Sequence, residues 1–332
     1  MSAKRVMWAV ATPADLVGGI ADKVAQLCAA MGAELEVFSC VYDADIARPG
    51  GFASRGAQLD IQEVVERFHD QLEHNAELLR RRGLRVRTSV RWDSPVHEGI
   101  VRQVLRHEPD LLIVRSRRKG RVLRAMLTQT DFKLIETCPC ALLLIKSSRP
   151  YAGSRVIAAL DPTHAHAKPA SLDDAIIQAA RSAADALSAE LVLVHARTSW
   201  EQIIRDQPDL QNISRTEQTE VRSAYWRNVE SRVREVARRH KVGRARVRIE
   251  DGKAAERLPA LIRTERAGIV TMGAVSRSLV KRLFIGHTAE RLLDALRCDV
   301  LIAKPPGFQT PVVRASAHRT DRSAARSGRY VF

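Results

Sequence analysis

The sequence predicts two α/β domains in tandem, each a five-stranded parallel sheet with helices on both faces. Three observations carry this. First, the chain repeats itself: Ala33-Glu34-Leu35-Glu36-Val37-Phe38 returns as Ala189-Glu190-Leu191-Val192-Leu193-Val194. Likewise Thr130-Asp131-Phe132-Lys133-Leu134-Ile135, with Cys140 and Lys146 beyond it, returns as Thr288-Ala289-Glu290-Arg291-Leu292-Leu293, with Cys298 and Lys304. These pairs lie 156 to 158 residues apart, the size of an ordinary domain rather than of a solenoid repeat. Second, strand and helix patterns alternate, which calls for right-handed crossovers and a parallel sheet. Third, strands such as Leu111-Leu112-Ile113-Val114 and Val300-Leu301-Ile302-Ala303 are continuously apolar, as strands covered on both faces must be.

The first repeat opens with a strand at Val6–Ala11. A helix follows over Asp15–Met31, where Leu16, Ile20, Val24 and Leu27 recur at spacings of three and four, and Gly32 closes it. Leu35–Val41 is the second strand. Gly50, Gly51 and Gly56 mark a loop before a long helix from Leu59 to Arg82, stopped by Gly83. Arg85–Trp92 alternates polar and apolar residues as a strand. Val96–Arg106 is helical, Leu111–Arg115 a strand, Asp131–Glu136 helical and Ala141–Ile145 the last strand. The second repeat keeps the order. Its strands are Val156–Leu160, Leu191–Ala196, Val247–Glu250, Gly268–Met272 and Val300–Ala303. Its helices are Leu172–Leu187, Glu217–His240, Ala255–Arg266 and Thr288–Leu296, and the stretch from Trp200 to Ile213 reads as a surface loop. The expected domains are residues 1–147 and 155–308, joined through Ser147-Ser148-Arg149-Pro150 and Gly153, with a basic, disordered tail over 309–332.

Composition narrows the function. With 332 residues at 45% hydrophobic, the chain can bury two cores, and at 5% aromatic those cores must be aliphatic. No apolar run reaches the roughly 20 residues that a membrane span needs. Met1-Ser2-Ala3-Lys4-Arg5 runs directly into a strand pattern, so no secretory signal is expected. Five cysteines, an odd and sparse set, fit reduced thiols in the cytoplasm. The formal charge of +16 invites a nucleic-acid reading, but the basic residues are spread along amphipathic helices and through the tail. No basic platform interleaved with aromatics is present, so nucleic acid is not the expected partner.

The chemistry of such a sheet belongs beyond the carboxyl ends of its strands, at the point where strand order reverses. In the second repeat that edge carries Asp161 after strand one. It also carries the loop Gly273-Ala274-Val275-Ser276-Arg277, which runs to Ile285-Gly286-His287-Thr288 at a helix start. Glycines let backbone approach a phosphate, and a helix N-terminus aims its N–H groups at an anion. An aspartate at the first strand's end can accept from a ribose hydroxyl or an adenine amine. Gly273 and Asp161-Pro162 are also ordinary turn residues, and His287 can simply fill a first helical turn. Cys138-Pro139-Cys140 lacks a second Cys or His pair, so it reads as packed thiol rather than a metal site. His164-Ala165-His166 has no partners in sequence either.

The second repeat resembles the universal stress protein family. Nucleotide-binding members of that family carry glycine, two residues, glycine, nine residues, then glycine followed by Ser or Thr. Gly273 and Gly286 hold the first and third glycine positions; Ser276 replaces the second, and His287 stands where Ser or Thr is usual, with Thr288 next. Gly286-His287-Thr288-Ala289-Glu290, Leu296-Arg297-Cys298-Asp299, Ile302-Ala303-Lys304-Pro305 and Gln309-Thr310-Pro311-Val312 are similar to the tandem, two-domain group of the family. So is Thr130-Asp131-Phe132-Lys133-Leu134 in the first repeat. The resemblance implies a Rossmann-like or flavodoxin-like fold of the adenine nucleotide α-hydrolase kind in each repeat. It implies a cytoplasmic stress-response protein that binds ATP, AMP or another phosphorylated small ligand, with Asp161, Gly273, Ser276, Arg277, Gly286, His287 and Thr288 as the site. It also implies an internal pseudo-dimer through the last strands, with a homodimer as a further arrangement.

The first repeat departs from this pattern, with Thr12, Arg115, Arg118 and Thr128 at the positions of Asp161, Gly273, Ser276 and Gly286. Any nucleotide site is therefore expected to be single. No GxSxG elbow, Walker lysine or HExxH pattern is present, and no catalytic or metal-binding residue is assigned. The alternatives are a weak nucleotide hydrolase using the Gly273–Thr288 loop, or a binder of anionic ligands, such as a phosphorylated lipid-like metabolite or nucleic acid, through Arg115, Arg117, Arg118, Lys119 and the basic tail.

Overall fold

The structure is a computed structural model and describes residues 5–43, 55–116, 128–163, 171–273 and 292–314, with backbone only for 55–60. It divides into two compact units, 1–150 with 308–332, and 151–307.

In the first unit, β1 (Arg5–Ala9), β2 (Glu34–Val41), β3 (Val86–Trp92), β4 (Leu111–Arg115) and β5 (Ala141–Ile145) form a parallel sheet in the order β3-β2-β1-β4-β5. Its core is aliphatic with two aromatics: Trp8, Phe38, Leu112, Ile113 and Leu142 are fully buried. Each buried Leu or Ile is worth about 1.5–3 kcal/mol relative to exposure. The helices are α1 (Gly19–Met31), α2 (Arg55–Arg80), α3 (Val96–His107) and α4 (Gln129–Thr137).

The expected helix from Asp15 is two pieces. A 3₁₀ turn spans Pro13–Leu16, and α1 starts only at Gly19, because Gly18 adopts a left-handed φ of 85°. Gly32, with φ 59°, closes α1 by donating to the Cys28 and Ala29 carbonyls. A capping box fixes the start of α4: the Thr128 hydroxyl accepts from Asp131 N–H, and the Asp131 carboxylate accepts from Thr128 N–H. Residues 308–314, at the start of the basic tail, group with this unit. Val312 is buried, and Arg102 Nε donates to the Val313 carbonyl at 3.4 Å.

The second unit repeats the topology. β6 (Arg155–Leu160), β7 (Leu191–Arg197), β8 (Val247–Asp251), β9 (Ala267–Gly273) and β10 (Asp299–Ala303) pair in parallel in the order β8-β7-β6-β9-β10. α5 (Ser171–Ala186) packs on β6 and β9, and residues 292–295 form a helical turn before β10. α7 (Arg215–Arg239) starts at a capping box of Ser214 and Glu217 and buries only Val229, Val233, Val236 and Ala237, one stripe of an otherwise polar helix. α8 (Ala254–Thr264) tolerates Pro259 in its interior. The stretch read as a surface loop folds instead: α6 (Trp200–Asp206), capped by Ser199, leads into a 3₁₀ turn at Pro208–Gln211. Trp200 is buried, and that apolar anchor is what gives so short a helix its stability.

Candidate functional site

The order of each sheet reverses at its first strand, so the crevice in the second unit lies beyond the carboxyl ends of β6 and β9. Asp161 follows β6 directly. Its side chain is 46% exposed, and its carboxylate accepts from the Thr163 hydroxyl at 3.0 Å. Its own N–H donates to the buried Asp173 carboxylate on α5, at 3.3 Å. Beneath it, His195 of β7 is 1% exposed, with Nδ1 3.0 Å from the Leu160 carbonyl and 4.0 Å from Asp161 Oδ1. The backbone at the end of β6 is thus held from two sides while the Asp161 carboxylate faces outward.

Gly273 is the last residue of β9 and pairs with Ala303 of β10. A side chain here would put Cβ within 2.7–2.9 Å of the Leu172 side chain of α5. The glycine is therefore required by packing of the helix against the strand end, a reason that the loop pattern in the sequence does not disclose. Ser276, Arg277, Gly286, His287 and Thr288 lie outside the described residues, as do His164 and His166. Of the sequence-predicted site, the structure places Asp161 after β6 and Gly273 at the end of β9, two adjacent strands of one sheet.

Further along the same edge is a group that sequence reasoning missed. Arg197, ending β7, makes a two-pronged ion pair with Asp251, its register partner at the end of β8. The hydrogen bond from Arg197, opposed by partial burial, holds the Asp251 carboxyl below its ordinary range. The guanidinium carbons of Arg197 and of Arg222 on α7 each lie 4.5 Å from the centre of the Trp226 ring. Such cation–π contacts are worth about 0.5–2 kcal/mol each. The four residues span the chain from 197 to 251. The only signal in the sequence was a lone tryptophan on a helix otherwise rich in charge.

The corresponding edge of the first unit carries an ion pair. Arg115, at the end of β4 and the counterpart of Gly273, donates from Nη1 to Asp15 Oδ1 at 2.9 Å. Asp15 Oδ2 accepts from the N–H groups of Ala11 and Thr12, at 3.2 and 3.1 Å. Asp15 is nearly buried, whereas Arg115 is 44% exposed. Asp15 and Asp173 do the same work, each receiving backbone N–H from the end of its unit's first strand. They stand 158 residues apart, the offset that also relates Thr130 to Thr288. In the first unit this carboxylate also receives Arg115; in the second the counterpart of that arginine has no side chain. Thr128, aligned with Gly286, caps α4, and Arg117, Arg118 and Lys119 lie outside the described residues.

Among the described residues no group of three His, Cys, Asp or Glu side chains could hold a metal ion, and no helix is long and apolar enough to cross a membrane. A cavity of about 260 Å³ opens at the amino ends of β1, β2 and β3, the opposite edge of the first sheet. Its charged lining is internally matched: Arg85 pairs with Glu34, and Arg87 with the buried Glu36, which also accepts from Ser89 and Gln103.

Comparison with known proteins agrees with this architecture. Universal stress protein E of Escherichia coli K12 is 22% identical over 288 residues, covering 85% of this chain and 88% of its own length. The counterpart from Photorhabdus laumondii is 24% identical over 241 residues, covering 70% and 73%. Among solved structures, a functionally unknown protein from Pseudomonas aeruginosa PAO1 matches with a TM-score of 0.68 at 24% identity, over 92% of this chain and 93% of that one. A universal stress protein from Archaeoglobus fulgidus DSM 4304 matches with a TM-score of 0.55 at 15% identity, over 90% and 98%. The universal stress protein family model matches twice, over residues 4–146 and 155–304, one match to each repeat. The chain belongs to the universal stress protein family and carries two of its domains in tandem.

Proposed function

We propose that this chain is a cytoplasmic stress-response protein that acts by binding rather than by catalysis, and that it takes one adenine nucleotide, ATP or AMP, in its second domain. What carries the reading is the contrast between the two carboxyl edges. One ends in an outward-facing Asp161 beside Gly273; the other ends in the Arg115–Asp15 ion pair. In the proposed mode the Asp161 carboxylate accepts from a ribose hydroxyl or the adenine amine. The loop through Ser276 and Arg277 to Gly286, His287 and Thr288 gives its N–H groups and one cation to the phosphates. No pairing of a nucleophile with an activating base is assigned among these residues, so turnover is expected to be absent. A cytoplasmic site of action is supported by the odd and sparse set of five cysteines.

Identifying by mass spectrometry whatever small molecule stays with the natively purified protein tests the reading. AMP or ATP supports it; a phosphorylated lipid-like molecule moves the reading to the broader anionic class. Products appearing on incubation with ATP, and abolished in Gly286→Val, would make it a hydrolase instead. We also propose that the two domains pair through their last strands, as an internal pseudo-dimer. Both strands are wholly apolar apart from Asp299. Such pairing predicts a single cooperative unfolding transition for the full chain in urea, where independent domains would give two.

A further inference from the structure

The corner between α4 and β5 holds two thiols that the nucleotide reading leaves unused. Cys138 caps the C-terminus of α4, its N–H donating to the Leu134 carbonyl, and Cys140 is the residue before β5. The ring of Pro139 fixes one backbone angle between them. The two sulfurs face one another at 3.6 Å. Both ends of the tripeptide are anchored, one by the helix and the other by the β4–β5 pairing, which begins at Leu111 and Ala141. Such anchoring keeps the sulfurs together instead of leaving the contact to chance. Cys138 is fully buried, while Cys140 is partly exposed.

The remaining thiols of the first unit have different surroundings. Cys28 is buried in α1, and burial pushes its thiol up to about 12, which leaves almost no thiolate at neutral pH. Cys40 Sγ donates to the Asp93 carbonyl at 3.4 Å and packs against Gly99, where a Cβ would lie 2.4 Å from the sulfur. The pair at the α4–β5 corner therefore combines a partly exposed cysteine with a second sulfur at its side. A metal is a poor match, because tetrahedral thiolate sites need four ligands and no third donor joins the pair among the described residues.

We propose that Cys138 and Cys140 form a reversible dithiol oxidation site for hydroperoxides, with hydrogen peroxide as the simplest. Cys140, as thiolate, attacks one peroxide oxygen. An S–O bond forms as the O–O bond breaks, and hydroxide leaves and takes up a proton to become water. Cys138 sulfur then attacks the Cys140 sulfur. The S–S bond forms, the S–O bond breaks, and a second water leaves with the Cys138 proton. Two thiols lose two electrons, and one peroxide becomes two waters. Reaching the disulfide length of about 2.05 Å needs an approach of roughly 1.5 Å, within reach of side-chain rotation and a small adjustment at Pro139. This site is independent of any ligand at the Asp161 edge.

Exposure of the full-length protein to one equivalent of hydrogen peroxide tests the proposal, followed by alkylation under denaturing conditions and peptide mass spectrometry. The peptide holding Cys138 and Cys140 is expected to lose two hydrogens and to resist alkylation, while Cys28 is alkylated fully. Dithiothreitol is expected to restore both thiols. Cys138→Ser should leave a sulfenic acid on Cys140 that dimedone labels, and Cys140→Ser should leave Cys138 unlabelled. Alkylation of both residues in the peroxide-treated wild type would overturn the proposal. So would a cross-link from Cys140 to Cys298 or to another chain, or direct conversion of Cys140 to sulfinic acid. The wild-type measurement decides the matter even if a serine variant fails to fold.

Discussion

Arg115 and Asp15, 100 residues apart in sequence, meet at 2.9 Å over the carboxyl edge of the first sheet. Arg115 stands where the second domain ends in Gly273, and Asp15 where it has Asp173. Asp15 would hold the Ala11 and Thr12 amides without the arginine, so the arginine adds an ion pair rather than support. Arg115→Ala is therefore expected to cost little stability, about 1 kcal/mol or less given its exposure. Asp15→Ala removes the acceptor for two backbone amides and should cost more, about 2–3 kcal/mol. Urea unfolding midpoints of the two variants check this ordering.

Gly273 should be intolerant of a side chain for a reason of packing. Gly273→Ala drives Cβ into Leu172 and is expected to cost about 1–3 kcal/mol. Combined with Leu172→Ala, which alone costs about 2–5 kcal/mol, the glycine substitution should become nearly neutral. A double-mutant cycle on thermal unfolding measures the coupling. Equal effects of Gly273→Ala in both backgrounds would mean that Leu172 is not what excludes the side chain.

The phenol of Tyr151 donates to the buried Asp299 carboxylate at 2.6 Å. Burial, with the neighbouring carboxylate as the lesser cause, holds that phenol well above its ordinary 10.0. The folded state thus keeps the proton longer than the unfolded state does. The stability that this group contributes is full below about pH 10 and lost as pH rises beyond it. Tyr151→Phe removes a charge-assisted donor and should cost about 1.5–3 kcal/mol at neutral pH. The gap between wild type and variant should narrow from pH 9 to 11, as read from denaturant midpoints at each pH.

Much of the fold was legible from periodicity and punctuation. Gly32 and Gly83 do end their helices, with φ of 59° and 84°, and the apolar runs at Leu111 and Val300 are buried strands. The break before α1 was not legible. Leu16 fits the helical spacing, but Gly18 turns the chain first. Nor was α6, whose seven residues depend on one buried tryptophan. At the candidate site, residues adjacent in sequence could be read and partners across the fold could not. Asp161 was found from its place after a strand, but Asp173 and His195 were not, because their roles depend on which strand ends come together. The offset of 158 residues between Asp15 and Asp173 was present in the sequence, hidden because their neighbours differ.

Trp226 should be coupled to both arginines that lie over it. Trp226→Ala is expected to loosen the Arg197–Asp251 pair and to cost about 1–2 kcal/mol, with a coupling to Arg197 of about 0.5–1 kcal/mol in a double-mutant cycle. Additive effects of the two substitutions would mean that the stacking carries no energy of its own.

On the proposed function, the tandem chain offers one ligand edge, not two, and that edge lies in the second domain. Calorimetric titration of the full-length protein with ATP tests it most directly. The expected result is one molecule bound per chain, kept in Arg115→Ala and lost in Asp161→Ala and Gly286→Val. Two molecules per chain, or one whose binding fails in Arg115→Ala and survives in Asp161→Ala, would contradict it.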